Sequence, residues 1–374
     1  MALRITPYEA YGELTDKEYA RHIEEFGIKR ISKTLLKEIE KIAGEIHFML
    51  RRGVFFAHRD LDWLIKKYKE GEKFFLYTGR APSGPIHIGH LLPWIFTKWL
   101  QDKFNVELWF QFPDEEKFLF KKQLSWDETQ HWLYENMLDV IALGFKKNKT
   151  KFIIDTKHAN LLYPIACRIA KHITFSTVKA TFGFTNENNI GSIFYTSMQA
   201  VPAVLPSVLK GKNVPCLIPL GIDQDAHFRL SRDVLPKLGF YKPALIHCKF
   251  LPSLQGKAKM ASSEETTAIY TTDTPEQVRY KIIKHAFSGG QPTVKEHREK
   301  GGNPDIDVSY QWLYMFFEPD DKVIEKIYYD YKSGALLTSE LKEILIEKIN
   351  KFLDKHQKER EKAKDKIEDY IYRE

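Results

Sequence analysis

Two histidines, His87 and His90, stand three residues apart in the string GRAPSGPIHIGH at residues 79–90. At that spacing both rings lie on one side of a first helical turn, where each ring N–H can donate to a phosphate oxygen. Neither ring has to act as a base. Gly79, Gly84 and Gly89 let backbone approach a ligand closely, and the free N–H groups at a helix start favour anions. The residues before the string, KFFLYT at 73–78, are of buried-strand type, and those after it, LLPWIFTKWLQDKF, have helical apolar spacing. Open α/β sheets bind ligands in such a loop between a strand's C-terminal end and a helix. The string is not a Walker A loop, because no GKS or GKT follows, nor is it GxGxxG. Two histidines alone would do no more than cap a turn; the complete string after a buried strand is far more specific.

PSGPIHIGH in that setting resembles the HIGH signature of class I aminoacyl-tRNA synthetases, which grips ATP. The resemblance implies nucleotide contacts from Gly79, Arg80, Pro82, Ser83, His87, Gly89 and His90. It also requires a lysine-bearing loop beyond the last strand, and LQGKAKMASSEETTAIY supplies one. Lys259, Met260, Ala261, Ser262 and Ser263 resemble the KMSKS loop of these enzymes, with Ala261 at the first serine and Ser262 at the second lysine. The first lysine is retained. A cation on a loop can meet charge developing on phosphates at a transition state, so Lys259 is the expected catalytic lysine and Lys257 an auxiliary one.

Four further strings extend the resemblance to the tryptophanyl-tRNA synthetases of archaeal and eukaryotic type, from about residue 22 to the end. They are LRRGVFFAHRD at 50–60, YTGRAPSG at 77–84, GIDQD at 221–225 and KHAFSGG at 284–290. The sister group activates tyrosine and carries an aspartate three residues after the glutamine of a Tyr-x-x-x-Gln motif. Here Tyr195 and Gln199 are followed by Pro202. Indole has one donor and no acceptor, so its pocket needs one acceptor in otherwise apolar walls. The resemblance assigns that role to Tyr77 and Gln111, the ammonium group and its surroundings to Glu116, Gln199 and Gln224, and a place beside the carboxylate or α-phosphate to Lys117. It implies L-tryptophan, ATP with Mg²⁺ and tRNA(Trp) as ligands, no metal ligated by the protein, and a homodimer. Tyrosine activation is the alternative within the class, and a non-catalytic synthetase-like tRNA-binding protein is the alternative outside it.

The elements that must position these residues follow from apolar patterning. Strand-like runs recur as VELWFQF at 106–112, KFIID at 151–155, VPCLIP at 214–219 and ALIHC at 244–248, with amphipathic helical patterns between them. Such alternation implies an α/β fold, a Rossmann-like parallel sheet covered on both faces. About sixty residues separate the third strand from the fourth, so residues 156–213 are expected as an insertion carrying substrate pocket or dimer interface. Residues 1–70 are expected as an N-terminal extension near the nucleotide, including one amphipathic helix from Ser32 to Gly53 and a short one stopping at Gly71. Residues 71–275 form the catalytic domain. Residues 276–374 are expected as an all-α C-terminal domain, to which the resemblance assigns reading of the anticodon, a single-stranded loop of the kind read by stacking and base-edge bonds. Its tail, residues 351–374, holds eight Lys/Arg and seven Asp/Glu, so a solvated helix face is expected there.

Composition bounds the rest. At 374 residues, 43% hydrophobic and 29% charged, the chain has ample material for a large core, which excludes disorder and low complexity. No apolar run approaches the ~20 residues needed to cross a bilayer. The N-terminus shows no apolar signal segment, so a cytoplasmic location without membrane contact is expected. The three cysteines, Cys167, Cys216 and Cys248, are scattered, which supports neither a disulfide framework nor a zinc site. A net charge of +7 is compatible with a polyanionic partner but decides little by itself.

Overall fold

The computed structural model describes residues 4–5, 10–11, 15–256, 260 and 265–373. Its strands are β1 (Arg4–Ile5), β2 (Ala10–Tyr11), β3 (Lys29–Arg30), β4 (Phe55–Arg59), β5 (Phe75–Gly79), β6 (Glu107–Phe112), β7 (Thr150–Ile154), β8 (Cys216–Gly221) and β9 (Ala244–Cys248). β1 and β2 pair with each other, and the other seven form one sheet in the order β3-β4-β9-β8-β5-β6-β7. The five strands from β5 to β9 are the five apolar runs expected from the sequence, and they are parallel to one another. The principal helices are α1 (Asp16–Glu25), α2 (Ile88–Phe104), α3 (Trp126–Ala142), α4 (Ile190–Met198), α5 (Asp225–Val234) and α6 (Thr338–Ala363).

Strand alternation divides the interior into two cores, because successive side chains point to opposite faces. Leu76, Leu108, Phe110, Phe152 and Ile246 face α2, α3 and α6, while Phe75, Tyr77, Trp109, Ile153 and Leu245 face α4, α5 and the other helices of the inserted segment. With both faces covered, parallel strands read as continuous apolar runs, which is why they were visible in the sequence.

Two N-terminal expectations change. Residues 32–53 do not form one helix: Ser32 caps a helix over Lys33–Ala43, but Gly44 takes the left-handed conformation at φ 78° and ends it. Phe48–Arg51 forms a separate short turn of helix. The apolar spacing runs on past Gly44, yet a residue that enters the left-handed region at no steric cost stops the hydrogen-bond ladder there. Residues 55–59, which were expected only as part of a cover near the nucleotide, are strand β4, antiparallel to β9 with Arg59 opposite Leu245. The extension therefore widens the sheet. Its helix α1 packs Tyr19 and Ile23 around Ala57 of β4.

The C-terminal helices, expected as a domain of their own, share a continuous core with one sheet face, Trp312, Leu345 and Ile349 joining Phe110 and Phe152. Past α6 the chain returns to β7: the Phe152 N–H donates to the Tyr370 carbonyl at 2.7 Å, and the Tyr372 N–H to the Phe152 carbonyl at 2.9 Å. This covers what would be an open sheet edge. The tail is also not solvated all round. His356 Nε2 lies 2.8 Å from Asp139 Oδ1 in α3, and Arg360 donates to Asp139 Oδ2 at 2.8 Å and to the Glu135 carbonyl at 3.0 Å. Asp139 is buried, so removing it leaves His356 without its partner and Arg360 with only the carboxylate and carbonyl of Glu135. Asp139→Ala is expected to cost about 1–3 kcal/mol, read as a lowered thermal unfolding midpoint. Asp354→Ala, which removes the exposed partner of Lys358, should barely move it; equal shifts from both would overturn the role of the latch.

Candidate active site

β5 lies between β6 and β8, so the chain leaves it first toward β6 and β7 and later crosses to β8 and β9 on the other side. Ligands of parallel sheets bind at the carboxyl ends of strands where the order switches in this way. Gly79 ends β5 at that point. A Cβ at Gly79 would lie 2.8 Å from the Gln111 carbonyl oxygen, so only glycine lets β5 and β6 close up there. The loop that follows is tied back by the Arg80 N–H, which donates to the Gln111 carbonyl at 2.9 Å.

His87 caps α2 from an extended conformation, and its backbone N–H donates to His90 Nδ1 at 3.2 Å. The two rings stack with centroids 3.5 Å apart. Because Nδ1 of His90 accepts, a neutral ring carries its proton on Nε2. Gly89 is packed against this pair: a Cβ there would stand 3.1 Å from His87 Nδ1 and 3.4 Å from Met260 Sδ. Met260 is buried beside the histidine loop, as its place in the motif requires. Lys257, Lys259, Ala261, Ser262 and Ser263 lie outside the described residues. The segment after them is zipped to the histidine loop. The Ile88 N–H donates to the Ile269 carbonyl at 3.0 Å, the Thr271 N–H to the Ile86 carbonyl at 3.0 Å, and His87 pairs with Tyr270.

Asn136 of α3 was not singled out from the sequence. It is fully buried, donates to the Gly84 carbonyl at 3.1 Å and accepts from Arg80 Nε at 3.3 Å. It braces the loop and aims Arg80. Burial pushes the Arg80 guanidinium down to about 10, against the pull of Glu116 and Asp139, so it stays charged at neutral pH. Pro82 is buried and Ser83 half-buried in the same loop.

The residues expected around the amino acid converge on the other sheet face, under α4. The Tyr77 hydroxyl donates to Gln111 Oε1 at 2.6 Å and lies 3.2 Å from the Gln199 carbonyl. Burial raises the Tyr77 pKa well above its ordinary value, so it stays a neutral phenol. The Tyr195 hydroxyl donates to Glu116 Oε2 at 3.1 Å. Lys117 donates to Glu116 Oε1 at 2.6 Å. Burial would raise the pKa of Glu116, but the Lys117 charge and these bonds hold it below the usual carboxylate range. Gln224 follows β8 at the same edge, one residue before Asp225, which pairs with Arg59 at 2.8 Å and with His247 at 2.8 Å. The sequence reading also missed two acids in this region, buried Asp155 and half-buried Glu115. Asp155 accepts from Gln111 Nε2 at 3.0 and 2.8 Å, and burial pushes neighbouring Glu115 up to about 7. Nothing in the local pattern of a lone acid after a strand distinguishes it from an ordinary turn residue. Among the described residues no group of three or more His, Cys, Asp or Glu is placed to hold a metal ion.

Comparison with known proteins places this geometry. A family model for class I tRNA synthetases (W and Y) matches residues 69–354. The tryptophan–tRNA ligase of Sulfurisphaera tokodaii is 54% identical over 370 residues, 98% of this chain and 95% of that protein. The tryptophan–tRNA ligase of Pyrococcus furiosus is 46% identical over 371 residues, 99% of this chain and 94% of its own length. Among solved structures, a product-bound parasite tRNA synthetase is similar with a TM-score of 0.91 and 41% identity, covering 95% of this chain and 96% of that one. The tryptophanyl-tRNA synthetase of Aeropyrum pernix K1 gives 0.87 and 30%, covering 96% and 97%.

The bracing by Asn136 can be tested directly. Asn136→Leu leaves the Gly84 carbonyl without its donor and Arg80 without its acceptor, and is expected to cost about 1–3 kcal/mol in urea unfolding. ATP affinity should fall with it; an unchanged affinity in a folded variant would sink the bracing role.

Proposed function

The chain belongs to the class I tRNA synthetases that serve tryptophan and tyrosine, and from that premise we infer how its own residues carry out an ATP-dependent tryptophan–tRNA ligation. In the first step a tryptophan carboxylate oxygen attacks the α-phosphorus of ATP, the bond to the bridging oxygen breaks, and pyrophosphate leaves. In the second, a hydroxyl of the terminal tRNA ribose attacks the acyl carbon of the mixed anhydride, and AMP leaves. Every attacking group belongs to a substrate, so the protein's work is positioning and charge stabilisation.

The observation that carries the amino-acid assignment is the bond from Tyr77 to Gln111 at the floor of the pocket. With its proton committed to Gln111, the Tyr77 oxygen is free to accept from an indole N–H, and Gln111 Oε1 keeps a second lone pair. Position 202, where the tyrosine-activating group has its aspartate, is a buried proline with no acceptor to offer a phenol. Glu116, held ionised, suits the substrate ammonium, which would take over the bond that Lys117 makes. Lys117 is thereby released toward the carboxylate or phosphate. Arg80, the backbone N–H groups of the histidine loop, His90 Nε2 and Lys259 meet the phosphates, and Mg²⁺ enters as part of the nucleotide substrate.

Residues 276–374 read the anticodon in this proposal, and the protein works as a homodimer in the cytoplasm, where its tRNA is used. Tyr163, Phe175 and Ile190 of the inserted segment are exposed, Ile190 at 84%, which supports an interface on that face. Among the described residues no helix is long and apolar enough to cross a membrane.

Pyrophosphate exchange with ATP and Mg²⁺ should proceed with tryptophan and not with tyrosine; exchange with tyrosine would overturn the pocket. Lys259→Ala should slow adenylation by about 100-fold with little change in tryptophan affinity, the reverse pattern removing the lysine from the transition state. In sedimentation equilibrium the protein should be dimeric, and Ile190→Asp should shift it toward monomer.

A further inference from the structure

Gln111 ends in an amide, whose two ends differ only in which is the donor and which the acceptor. Its environment decides the direction. Nε2 lies 3.0 and 2.8 Å from the two oxygens of Asp155, and Oε1 lies 2.6 Å from the Tyr77 hydroxyl. Gln111 and Asp155 are each 2% exposed, so water does not compete for these bonds. Asp155 is fixed in turn: it follows β7 directly, and its own N–H donates to the Phe112 carbonyl at 3.2 Å. Any proton on Asp155 is directed to Glu115, so the carboxyl oxygens it turns to Gln111 accept, and the amide turns its NH2 toward Asp155 and its oxygen toward Tyr77.

The consequence travels to the ligand. Both neighbours of the Tyr77 hydroxyl, Gln111 Oε1 and the Gln199 carbonyl, are acceptors. The phenol proton is therefore used within the protein, and the lone pairs of the oxygen are left to accept. We propose that Asp155 is a specificity-determining positioning residue: through Gln111 and Tyr77 it makes the floor of the pocket an acceptor, and so selects a side chain that presents an N–H. The inference rests on the tryptophan reading above. Asp155 touches no substrate, and its effect is the direction of a three-membered hydrogen-bond chain.

Glu115 makes this arrangement tenable. Two carboxyl groups packed together in a buried place do not both ionise. Burial raises both Glu115 and Asp155, and a hydrogen bond joins them. One proton shared between the pair relieves the repulsion and still leaves acceptor lone pairs on Asp155 for the amide. Nearby Asp114 is occupied elsewhere, accepting from the Thr156 N–H at 3.1 Å and from Gln130 at 3.1 Å.

The test uses tryptophan and β-(3-benzothienyl)alanine, an analogue with sulfur in place of the indole N–H, in pyrophosphate exchange. The unaltered enzyme should favour tryptophan in kcat/KM by on the order of 10- to 100-fold, the effect of leaving one buried polar group unpaired. In Asp155→Asn the new amide can donate to Gln111 Oε1, which allows Gln111 to turn over and the Tyr77 proton to point into the pocket. The preference should then collapse toward unity through a higher KM for tryptophan, with kcat changed by no more than about twofold. Asp155→Glu, which keeps the acceptor, should retain most of the preference. A residue that only supports the fold would lower both substrates alike and leave their ratio untouched, so an unchanged ratio in Asp155→Asn overturns the proposal. If that variant does not fold, Asp155→Ala is read the same way, since it removes the acceptor without adding a donor. Failure of the unaltered enzyme to use tryptophan at all would strike the functional reading instead.

Discussion

Strand β5 is hydrogen-bonded to β6 on one side and to β8 on the other, both parallel to it, and most of what the protein does depends on that pairing. Parallel pairing sends the carboxyl ends of five strands to one edge, and the change of direction at β5 opens the crevice there. Because side chains alternate along each strand, the same edge serves two purposes. Tyr77 and Gln111 project to the face under the inserted helices and bond to each other there. Gly79 carries the chain out of the sheet into the loop that leads to the start of α2. In the proposed function these two places hold the amino acid and the nucleotide at the end of one strand.

The two nucleotide motifs are far apart in the chain and adjacent in space for a simple reason: the segment after the lysine loop pairs backbone to backbone with the histidine loop at Ile86 and Ile88. Met260 lies against Gly89, and Ile269 pairs with Ile88. The helical region grips the same assembly from outside. Gln357 of α6 donates to the Thr271 and Asp273 carbonyls at 3.0 Å, and a turn away His356 and Arg360 hold α3, whose Asn136 braces the histidine loop. One helix therefore touches the supports of both loops, a physical path that joins the C-terminal helices to them.

Buried charge is used sparingly and in closed groups. Asp225 is held well below the usual carboxylate range: burial would raise it, but Arg59 and His247 more than offset that. The group ties β4, β9 and α5 together, and Arg59 also caps the end of α1 through the Phe26 carbonyl at 2.8 Å. Such clusters contribute little net stability compared with apolar packing, yet breaking one leaves an uncompensated charge, so they fix which elements can be neighbours. Glu116 is held ionised by its pairing with the partly exposed Lys117.

The sequence by itself determined the parts whose signal is local. Five buried strands showed as apolar runs because both faces of a parallel sheet are covered, and the histidine loop showed because glycine, proline and histidine at fixed offsets have few other uses. Tyr77, Gln111, Glu116 and Gln199 were legible only by resemblance; strand ends alone could not say which side chains share a face. Tertiary structure decided the rest. β4 has too short an apolar run to stand out, and becomes a strand because β9 offers it a free edge. The helix from Ser32 kept its apolar spacing past Gly44, and backbone conformation at one glycine ended it. Asn136 and Asp155 carry no mark in their neighbourhoods: their partners lie 52 and 44 residues away, brought close by strand order and by the packing of α3. A polar residue's role is set by what it is buried against, and that is a property of the fold.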